Sequence, residues 1–533
     1  MPKSSGQTEL DAVRERATEF LRSLRHPVLY EDGAELFDLT AARWNFSIEF
    51  GKLLLEVWNP NRSIGRRVEE IAYTDRDRMG LYVRKPGARE ATTLEFRELK
   101  PAGAGSERPA ARSAARDALV QLLKQEFREW KIERASIRSD REHSFSAWYI
   151  RGLARQGRTG WAFLGMDEHE TPAAADSVLS YALIWLDWLR ARSERLTIPG
   201  LKLFLPPGAA RPTAERVSCL NRRSLDLEIF AWNRERSRLE RMDLADIGNV
   251  STGLAHSRQS EQLLETHRNL VHELAGDRLK DIDIFPDAPK NTLSLRVRGL
   301  EVAWIEGLVS PRIFFGLEGE VRRLEEEGRE DFRRFLDEVL RIRAADSREP
   351  SHPFYRLQAE RWLESLLIQD VTKIDPELSP QFVYPQVPAF SGSERGVIDI
   401  LAATRGGRLA VLELKLDEQI NLPMQGLDYW LRVKWLADRK QFGEYGYFPG
   451  VELAPALPRL YLVSPGFRSH SSTDRLICYF HPAIEVIKVG LNQTWRKGIR
   501  VLFRKAAGSD GSGGIPPASF DFAHTPEPDE GRE

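Results

Sequence analysis

Apolar and polar residues alternate along the first hundred positions of the chain. The stretches "WNFSIEFGKLLLEVW" (44–58), "GLYVRK" (80–85) and "TTLEFREL" (92–99) are separated by Gly and charged residues. Successive side chains of a strand point to opposite faces, so this alternation predicts a β-rich module. The Gly- and Pro-containing stretch 101–113 predicts a linker after it.

A helical period replaces this alternation further along the chain. Apolar residues recur every three or four positions within 114–131, which predicts a helix there. "AWYIRGLARQGRTGWAFLGM" (147–166) has the pattern of a strand hairpin. We predict further helices at 177–192, 354–369 and 424–441. The pattern as a whole indicates a mixed α/β protein.

Composition narrows the class of protein. The 533 residues, at roughly 100–200 residues per domain, indicate several domains. A net charge of −1 argues against a nucleic-acid-coating protein, although a local basic groove can exist within a neutral total. The sequence has no signal peptide and no apolar run that could span a bilayer, so we expect a cytoplasmic protein without membrane contact. Two cysteines fit a reducing compartment and exclude a disulfide scaffold and a cysteine zinc site.

Three charged residues interrupt two apolar strands in the C-terminal part. Asp399 lies within "VIDILA", and Glu413 and Lys415 lie within "LAVLELKL". Glu413 and Lys415 are two positions apart and therefore share one face of their strand. A turn at 405–407 would bring Asp399 to the neighbouring strand, where the three charges can converge.

Burying an unpaired charge is costly, so this convergence needs an explanation. Two carboxylates suit a hard divalent cation such as Mg²⁺ or Mn²⁺, and a nearby lysine can orient or deprotonate water. Together they are the groups that phosphodiester hydrolysis requires. The alternative is a buried, compensated ion pair. A second candidate metal site, "DEHE" at 167–170, is better interpreted as a solvated turn.

Two predicted helices carry further polar pairs. Gln425 and Tyr429 are spaced i,i+4 on the helix that follows the charged strands, and Glu360 and Glu364 have the same spacing on the preceding helix. The order of helix Glu, strand Asp, strand Glu-x-Lys and helix Gln-x-x-x-Tyr resembles the PD-(D/E)XK nuclease superfamily. The Gln-x-x-x-Tyr motif is similar to that of its RecB-like branch, and the first helix is similar to NucS-type nucleases.

The resemblance covers about residues 350–495 and implies an αβββαβ core with metal-dependent DNA cleavage. It implies that Lys415 is the catalytic lysine and that Gln425 and Tyr429 line the site. The metal ligands that it implies are Asp399, Glu413 and Glu364, with Glu360 as the alternative to Glu364. Ile398 takes the place of the proline in the family's first motif.

The first half of the chain repeats this pattern without its charges. "YIRGLARQGRTGWAFLGMDEHE" aligns without a gap on "VIDILAATRGGRLAVLELKLDE", and this puts Arg151, Gly165 and Asp167 at the positions of the three charged residues. "RVSCLNRRSLDLEIFAWN" aligns in the same way on "RLICYFHPAIEVIKVGLN" and matches Cys219 with Cys478. We interpret this as an internal duplication. Both cysteines should then be buried and far apart, and Arg151 should be able to contact a phosphate or an acid.

The resemblance and the internal duplication together imply two restriction-endonuclease-like αβββαβ domains, each preceded by a small β-rich module. The predicted segments are an N-terminal helix and β module (1–100), an inactive nuclease-like domain (101–245), a helical linker and second β module (246–345), a nuclease domain (346–505) and a disordered tail (506–533).

The expected function is that of a metal-dependent DNA endonuclease with a role in repair or phage defence. The N-terminal modules would bind DNA or mediate assembly. The alternative from another class is a non-catalytic DNA-binding or scaffold protein, and RNA cleavage is a third. The oligomeric state is open, with a homodimer as one alternative.

Overall fold

The structure is a computed structural model. It describes residues 5–24, 27–31, 34–39, 42–49, 52–59, 62–75, 78–84, 91–98, 107–140, 142–193, 195–223, 225–250, 252–287, 290–317, 321–388, 396–466 and 468–507. Of the predicted disordered tail, residues 506 and 507 complete a strand, and 508–533 lie outside the described residues.

The described residues form eleven α-helices and 24 strands in four sheets, so the predicted mixed α/β class is confirmed. The chain divides into two compact units. The first unit comprises 1–105 and 256–366, and the second comprises 106–255 and 367–533. The finer domain boundaries given above stay predictions. Within its described part, the chain contains no helix that is both long and apolar enough to cross a membrane.

The first unit opens with one helix and a seven-stranded antiparallel sheet of order β2-β1-β7-β6-β5-β4-β3. Alternate residues of β4 such as Leu53, Leu55 and Val57 are fully buried, which is the pattern that predicted strands here. The elements are α1 Ser5–Ser23, β1 Pro27–Glu31, β2 Ala34–Asp38, β3 Arg43–Glu49, β4 Lys52–Asn59, β5 Arg62–Thr74, β6 Arg78–Arg84 and β7 Ala91–Glu98.

The next part of the chain, the first repeat, belongs to the second unit. Its elements are α2 Glu107–Glu126, β8 Lys131–Ser136, β9 Tyr149–Gln156, β10 Thr159–Met166, α3 Pro172–Arg192, β11 Gly200–Leu205, α4 Pro207–Val217, β12 Asp226–Asn233 and β13 Arg238–Arg241. Helix α2 begins inside the predicted linker and ends before the predicted boundary at 131. It cannot extend to 131, because Lys131 begins edge strand β8 and pairs with Arg155.

The chain then returns to the first unit with a five-stranded antiparallel sheet of order β14-β15-β16-β17-β18. The predicted helix at 354–369 is interrupted, because Gln358 has a left-handed φ of 47° between two helices. The elements are α5 Ser257–Ala275, β14 Asp283–Asp287, β15 Thr292–Val297, β16 Leu300–Glu306, β17 Arg312–Phe315, β18 Arg322–Arg323, α6 Arg329–Ile342, α7 Pro353–Arg356 and α8 Ala359–Gln369. Helix α8 runs across the division between the units.

The second repeat completes the second unit. Its elements are β19 Leu378–Pro388, β20 Val397–Thr404, β21 Leu409–Leu414, α9 Leu422–Asp438, α10 Gln441–Glu444, β22 Arg459–Pro465, α11 Thr473–Ile477, β23 Val486–Leu491 and β24 Val501–Ala507. We use the term first repeat for α2 to β13 and the term second repeat for β19 to β24.

The sheets of the two repeats have the same topology. The strand orders are β8-β9-β10-β11-β12-β13 and β19-β20-β21-β22-β23-β24. In both sheets the successive pairs are antiparallel, antiparallel, parallel, parallel and antiparallel. The shared topology is consistent with the internal duplication, although each of these two sheets has six strands among the described residues, which is more than the expected αβββαβ core contains. A shared apolar core contains residues of both repeats, among them Leu164 and Val411.

The predicted match within β10 is wrong by one residue. Arg151 pairs with Leu164, whereas the register of β20 and β21, continued one step beyond Ile400 and Leu412, sets Asp399 opposite Glu413. A Cβ on Gly165 would lie 2.3 Å from Leu119 Cδ2 of α2, on the opposite face of the sheet from Leu164.

The cause of this offset is the length of the turn. Gln156 pairs with Thr159 across a two-residue turn, whereas Thr404 N donates to Arg408 O around a three-residue turn. Leu164 therefore takes the position of Glu413, and Met166 takes that of Lys415. The position of Arg151 is unchanged.

Candidate functional site

Asp399 lies on β20 with its side chain partly buried. Its Oδ2 accepts a hydrogen bond of 2.9 Å from the backbone N of Leu414 on β21. This hydrogen bond holds the Asp399 carboxylate against the backbone of β21, at the residue that follows Glu413.

Glu413 and Lys415 lie at the end of β21. The side chain of Glu413 is fully buried, and Glu413 pairs in parallel with Leu462 of β22. The backbone N of Lys415 donates to Val463 O at 3.0 Å, so the parallel pairing continues past the end of the strand. Lys415 Nζ lies 3.7 Å from Glu413 Oε1, and its side chain is 12% exposed. The predicted convergence of Asp399, Glu413 and Lys415 is therefore compatible with the register and these contacts.

Helix α9 presents the predicted polar pair. Gln425 Nε2 donates to the Tyr429 hydroxyl at 3.3 Å. Burial raises the pKa of Tyr429, and the negative charges of Glu413 and Asp399 raise it further, whereas the hydrogen bond from Gln425 acts in the opposite direction. Tyr429 is therefore a neutral phenol at physiological pH, in the electrostatic field of the two carboxylates.

A glycine brings α9 close to the sheet. A Cβ on Gly426 would lie 2.8 Å from Leu462 Cδ2, closer than real Cβ atoms approach, and 3.1 Å from Leu460 Cδ1, which is also tight. The missing side chain thus lets the backbone of α9 approach β22. Leu462 is also the residue that pairs with Glu413, so this contact joins the helix to the strand beside the carboxylate.

The acid predicted on the first helix lies in the first unit. Glu364 is buried on α8, and its Oε2 accepts a hydrogen bond of 2.6 Å from Arg361 Nη1. Glu360 lies one turn earlier and is partly exposed. The roles of Glu364 and Glu360 as metal ligands stay predictions of the family resemblance.

The corresponding position in the first repeat is closed. Arg151 is buried, and its guanidinium donates to the carbonyl oxygens of Ser146 and Arg138 and lies 4.7 Å from the Phe145 ring centroid. Burial lowers its pKa to about 10. Backbone carbonyls engage the side chain, and the negative charge of Asp140 also acts on it, opposing the effect of burial on its pKa. The expectation that Arg151 can contact a phosphate or an acid stays a prediction.

Two acidic clusters with histidine occur among the described residues, both in the first repeat. They are Asp140, Glu142 and His143, and Asp167, Glu168 and His169. Each is a run of near neighbours in a turn. Asp167 forms an ion pair with Arg234 and accepts a 2.8 Å bond from His169 Nδ1. Neither cluster contains Asp399 or Glu413. Residues 168 and 169 form an exposed turn, as expected, but Asp167 is buried and ion-paired, so the interpretation of the whole of 167–170 as a solvated turn is wrong at Asp167.

A buried network of four charges, which the sequence analysis missed, joins the two repeats beside this site. Arg216 Nη2 on α4 lies 2.6 Å from Asp428 Oδ2 on α9, and Arg432 Nη2 on α9 lies 3.0 Å from Glu215 Oε2. All four side chains are at most 8% exposed. The sequence signal was the i,i+4 pair Asp428 and Arg432, which has the same spacing as an ordinary solvated helix pair.

The cysteine expectations are corrected by the same interface. Cys219 is buried, but Cys478 is exposed. The two cysteine-containing segments also adjoin, because His481 N donates to Cys219 O at 2.9 Å. Both cysteines are free thiols.

A scan against protein-family models found no match to this chain, and a search of curated proteins found no relative. The assignment to the nuclease superfamily therefore stays a hypothesis, and the residues described above carry it.

Proposed function

We propose that this protein is a metal-dependent nuclease that hydrolyses phosphodiester bonds of DNA at Asp399, Glu413 and Lys415. The observation that carries the proposal is the pairing of two carboxylates across adjacent strands with an ammonium group 3.7 Å from one of them. A cytoplasmic location and DNA as the partner belong to the same proposal.

The donor set fits a hard divalent cation. Asp399 and Glu413 supply carboxylate oxygens, which are the ligands that Mg²⁺ and Mn²⁺ prefer. When bound, such a cation would polarise a phosphate oxygen and lower the pKa of coordinated water. Glu413 is fully buried, so its charge is costly unless cations face it; the Lys415 ammonium 3.7 Å away is one such group, and a bound divalent cation would be a second.

In the proposed reaction, the oxygen of one water forms a bond to phosphorus, one ester P–O bond breaks, and the departing oxygen takes up a proton. Three side chains of the second repeat would support this hydrolysis. The Lys415 ammonium would orient that water or stabilise the negative charge that develops on the phosphate oxygens. The Tyr429 phenol and the Gln425 amide can donate hydrogen bonds to a bound phosphate.

The decisive experiment incubates the full chain with supercoiled and branched DNA in the presence of Mg²⁺ or Mn²⁺. Asp399→Asn and Glu413→Gln should abolish cleavage and weaken Mn²⁺ binding measured by electron paramagnetic resonance, because each removes one anionic ligand. Glu444→Gln, at an exposed acid on α10, is the matched control and should keep both properties. Full activity in both site variants would overturn the assignment.

Lys415→Ala separates catalysis from binding. It should keep DNA binding and lose cleavage by about 10²–10⁴-fold, which is typical for a positioned acid–base group. Weak binding with normal turnover would instead assign Lys415 to phosphate anchoring. DNA binding by the wild-type chain without any cleavage would support the non-catalytic scaffold, and parallel assays with RNA test the remaining alternative.

A further inference from the structure

The two repeats meet through a contact with internal two-fold character. Leu220 forms an antiparallel bridge with Phe480, and Asn221 N donates to Tyr479 O at 2.8 Å. In the gapless match of 216–233 on 475–492, Leu220 corresponds to Tyr479 and Asn221 corresponds to Phe480. Leu220 therefore contacts the residue that corresponds to Asn221, and Asn221 contacts the residue that corresponds to Leu220. This reciprocity is the signature of an isologous interface, which two-fold homodimers use.

Charged pairs reinforce the same interface. Helix α4 of the first repeat contributes Glu215 and Arg216, and α9 of the second repeat contributes Arg432 and Asp428. Ser180 Oγ on α3 also donates to Asn421 Oδ1 at 2.9 Å, directly before α9. The helix that carries Gln425 and Tyr429 is thus held by the first repeat.

The two halves of this internal dimer differ in their chemistry. The second repeat carries Asp399, Glu413 and Lys415, whereas the first carries Arg151, Leu164 and Met166 at the corresponding positions. An arginine, a leucine and a thioether cannot take the place of two oxygen ligands for a hard cation. Of the two repeats, as far as the structure describes them, the second therefore carries the paired carboxylates and the first does not.

We propose that the first repeat is the built-in partner of the second, so that one chain cuts one strand of duplex DNA per binding event. This inference rests on the proposed function. Each hydrolysis consumes one water and breaks one ester bond, and a double-strand break needs a second hydrolysis on the opposite strand. A two-fold dimer with two sites can do both at once. Here the partner surface is occupied by a half without the ligands, so the product is a nick.

The test is a time course with supercoiled plasmid, the full wild-type chain and Mg²⁺, at enzyme concentrations below that of the plasmid. Nicked circles should accumulate first, and linear DNA should form only later from nicked molecules. The initial rate should be proportional to enzyme concentration, and adding an equal amount of the Glu413→Gln variant, with DNA in excess, should leave it unchanged. If active dimers were required, randomly mixed subunits would reduce the rate to about half, because active chains would be trapped in mixed dimers.

The outcomes separate this inference from the one on which it rests. Linear DNA that forms from the first time point together with nicked circles would overturn the single-strand inference and leave the proposed nuclease intact. A loss of rate on mixing with the inactive variant would do the same. The absence of metal-dependent cleavage of any DNA would overturn the proposed function and this inference with it.

Discussion

The ion pair between Arg216 and Asp428 allows the contact between the repeats to be tested without any assumption about function. Arg216 Nε and Nη2 lie 2.8 Å and 2.6 Å from the same oxygen, Asp428 Oδ2. The side chains are 6% and 8% exposed. We predict that Arg216→Met or Asp428→Leu alone destabilises the second unit strongly, whereas the double variant is much less destabilised.

The expected magnitude follows from the surroundings of each charge. Removing one member of a buried pair typically costs about 3–5 kcal/mol, because the other charge stays buried. Here the lower end is expected for Arg216→Met, since Arg432 Nη1 remains 3.6 Å from Asp428 Oδ1. In the double variant neither charge remains, so the coupling free energy should be at least about 2 kcal/mol.

Arg78 and Asp75 provide the matched control. Their N–O distance is 2.8 Å, but the side chains are 53% and 51% exposed, so Arg78→Met should cost at most about 1 kcal/mol. Urea unfolding of the full chain gives the free energies by linear extrapolation. Hydrogen exchange of residues 422–438 assigns the change to α9. If the double variant loses as much free energy of unfolding as the two single variants together, the predicted coupling between Arg216 and Asp428 is refuted.

Three further predictions concern packing and titration in the second unit. Burial raises the pKa of the Cys219 thiol to about 12, so a thiol reagent at pH 8 should label the exposed Cys478 alone in the native chain. The variant Cys478→Ser should abolish that labelling, and rapid labelling of Cys219 would contradict the structure. Gly426→Ala should cost about 1–3 kcal/mol in urea unfolding, because its Cβ would collide with Leu462, whereas Gly443→Ala meets no atom within 4 Å and is the control. Burial acts to raise the pKa of Asp167, but hydrogen bonds from His169 and the charge of Arg234 hold it below its ordinary value of 3.8. Ionised Asp167 therefore stabilises the fold above that pH, and its contribution is lost as the pH falls through the lower folded-state pKa. Asp167→Asn should reduce the free energy of unfolding at pH 7 and make its decrease at acid pH less steep. An unchanged pH profile would contradict this.

Local patterns were sufficient to predict most elements of the second unit. Alternation and apolar runs located β9, β10, β20 and β21, because side-chain burial follows the strand period directly. The same patterns gave the position of Asp399 relative to Glu413 and Lys415, since a turn at 405–407 fixes the antiparallel register. Helix boundaries were less accurate. Helix α2 ends at Glu126 because edge pairing of β8 begins a few residues later, and this depends on a partner strand distant in sequence.

The register of β10 could not be derived from a gapless match of sequences. Gly157 with φ 61° begins a two-residue turn, and Gly407 with φ 77° ends a three-residue turn, yet both segments contain Arg and Gly. A shift by one residue moves every following side chain to the other face of a strand. Apolar residues lie on both faces of a central strand, so the sequence pattern does not reveal such a shift.

The exposure of Cys478 and the burial of Arg216 were also beyond local patterns. The burial of Arg216 depends on how the repeats pack against each other, and the exposure of Cys478 shows that matched positions of the two repeats differ in their surroundings; neither apolar periodicity nor charge spacing encodes this. A buried Arg on a helix is identical in sequence to a solvated one. Its role becomes visible only when Asp428 is found opposite it.

The buried charges of the two repeats lie at different positions. At the positions of Glu413 and Lys415 the first repeat has Leu164 and Met166, which pack into the shared apolar core without the cost of buried charge. At the interface it keeps Glu215 and Arg216, which are equally costly to bury unless Asp428 and Arg432 face them. In the first repeat, charged side chains are therefore absent from the core positions that match Glu413 and Lys415 and present where they contact α9. The first repeat therefore contributes the contacts that hold α9 on this side, and their loss should loosen the helix that carries Gln425 and Tyr429.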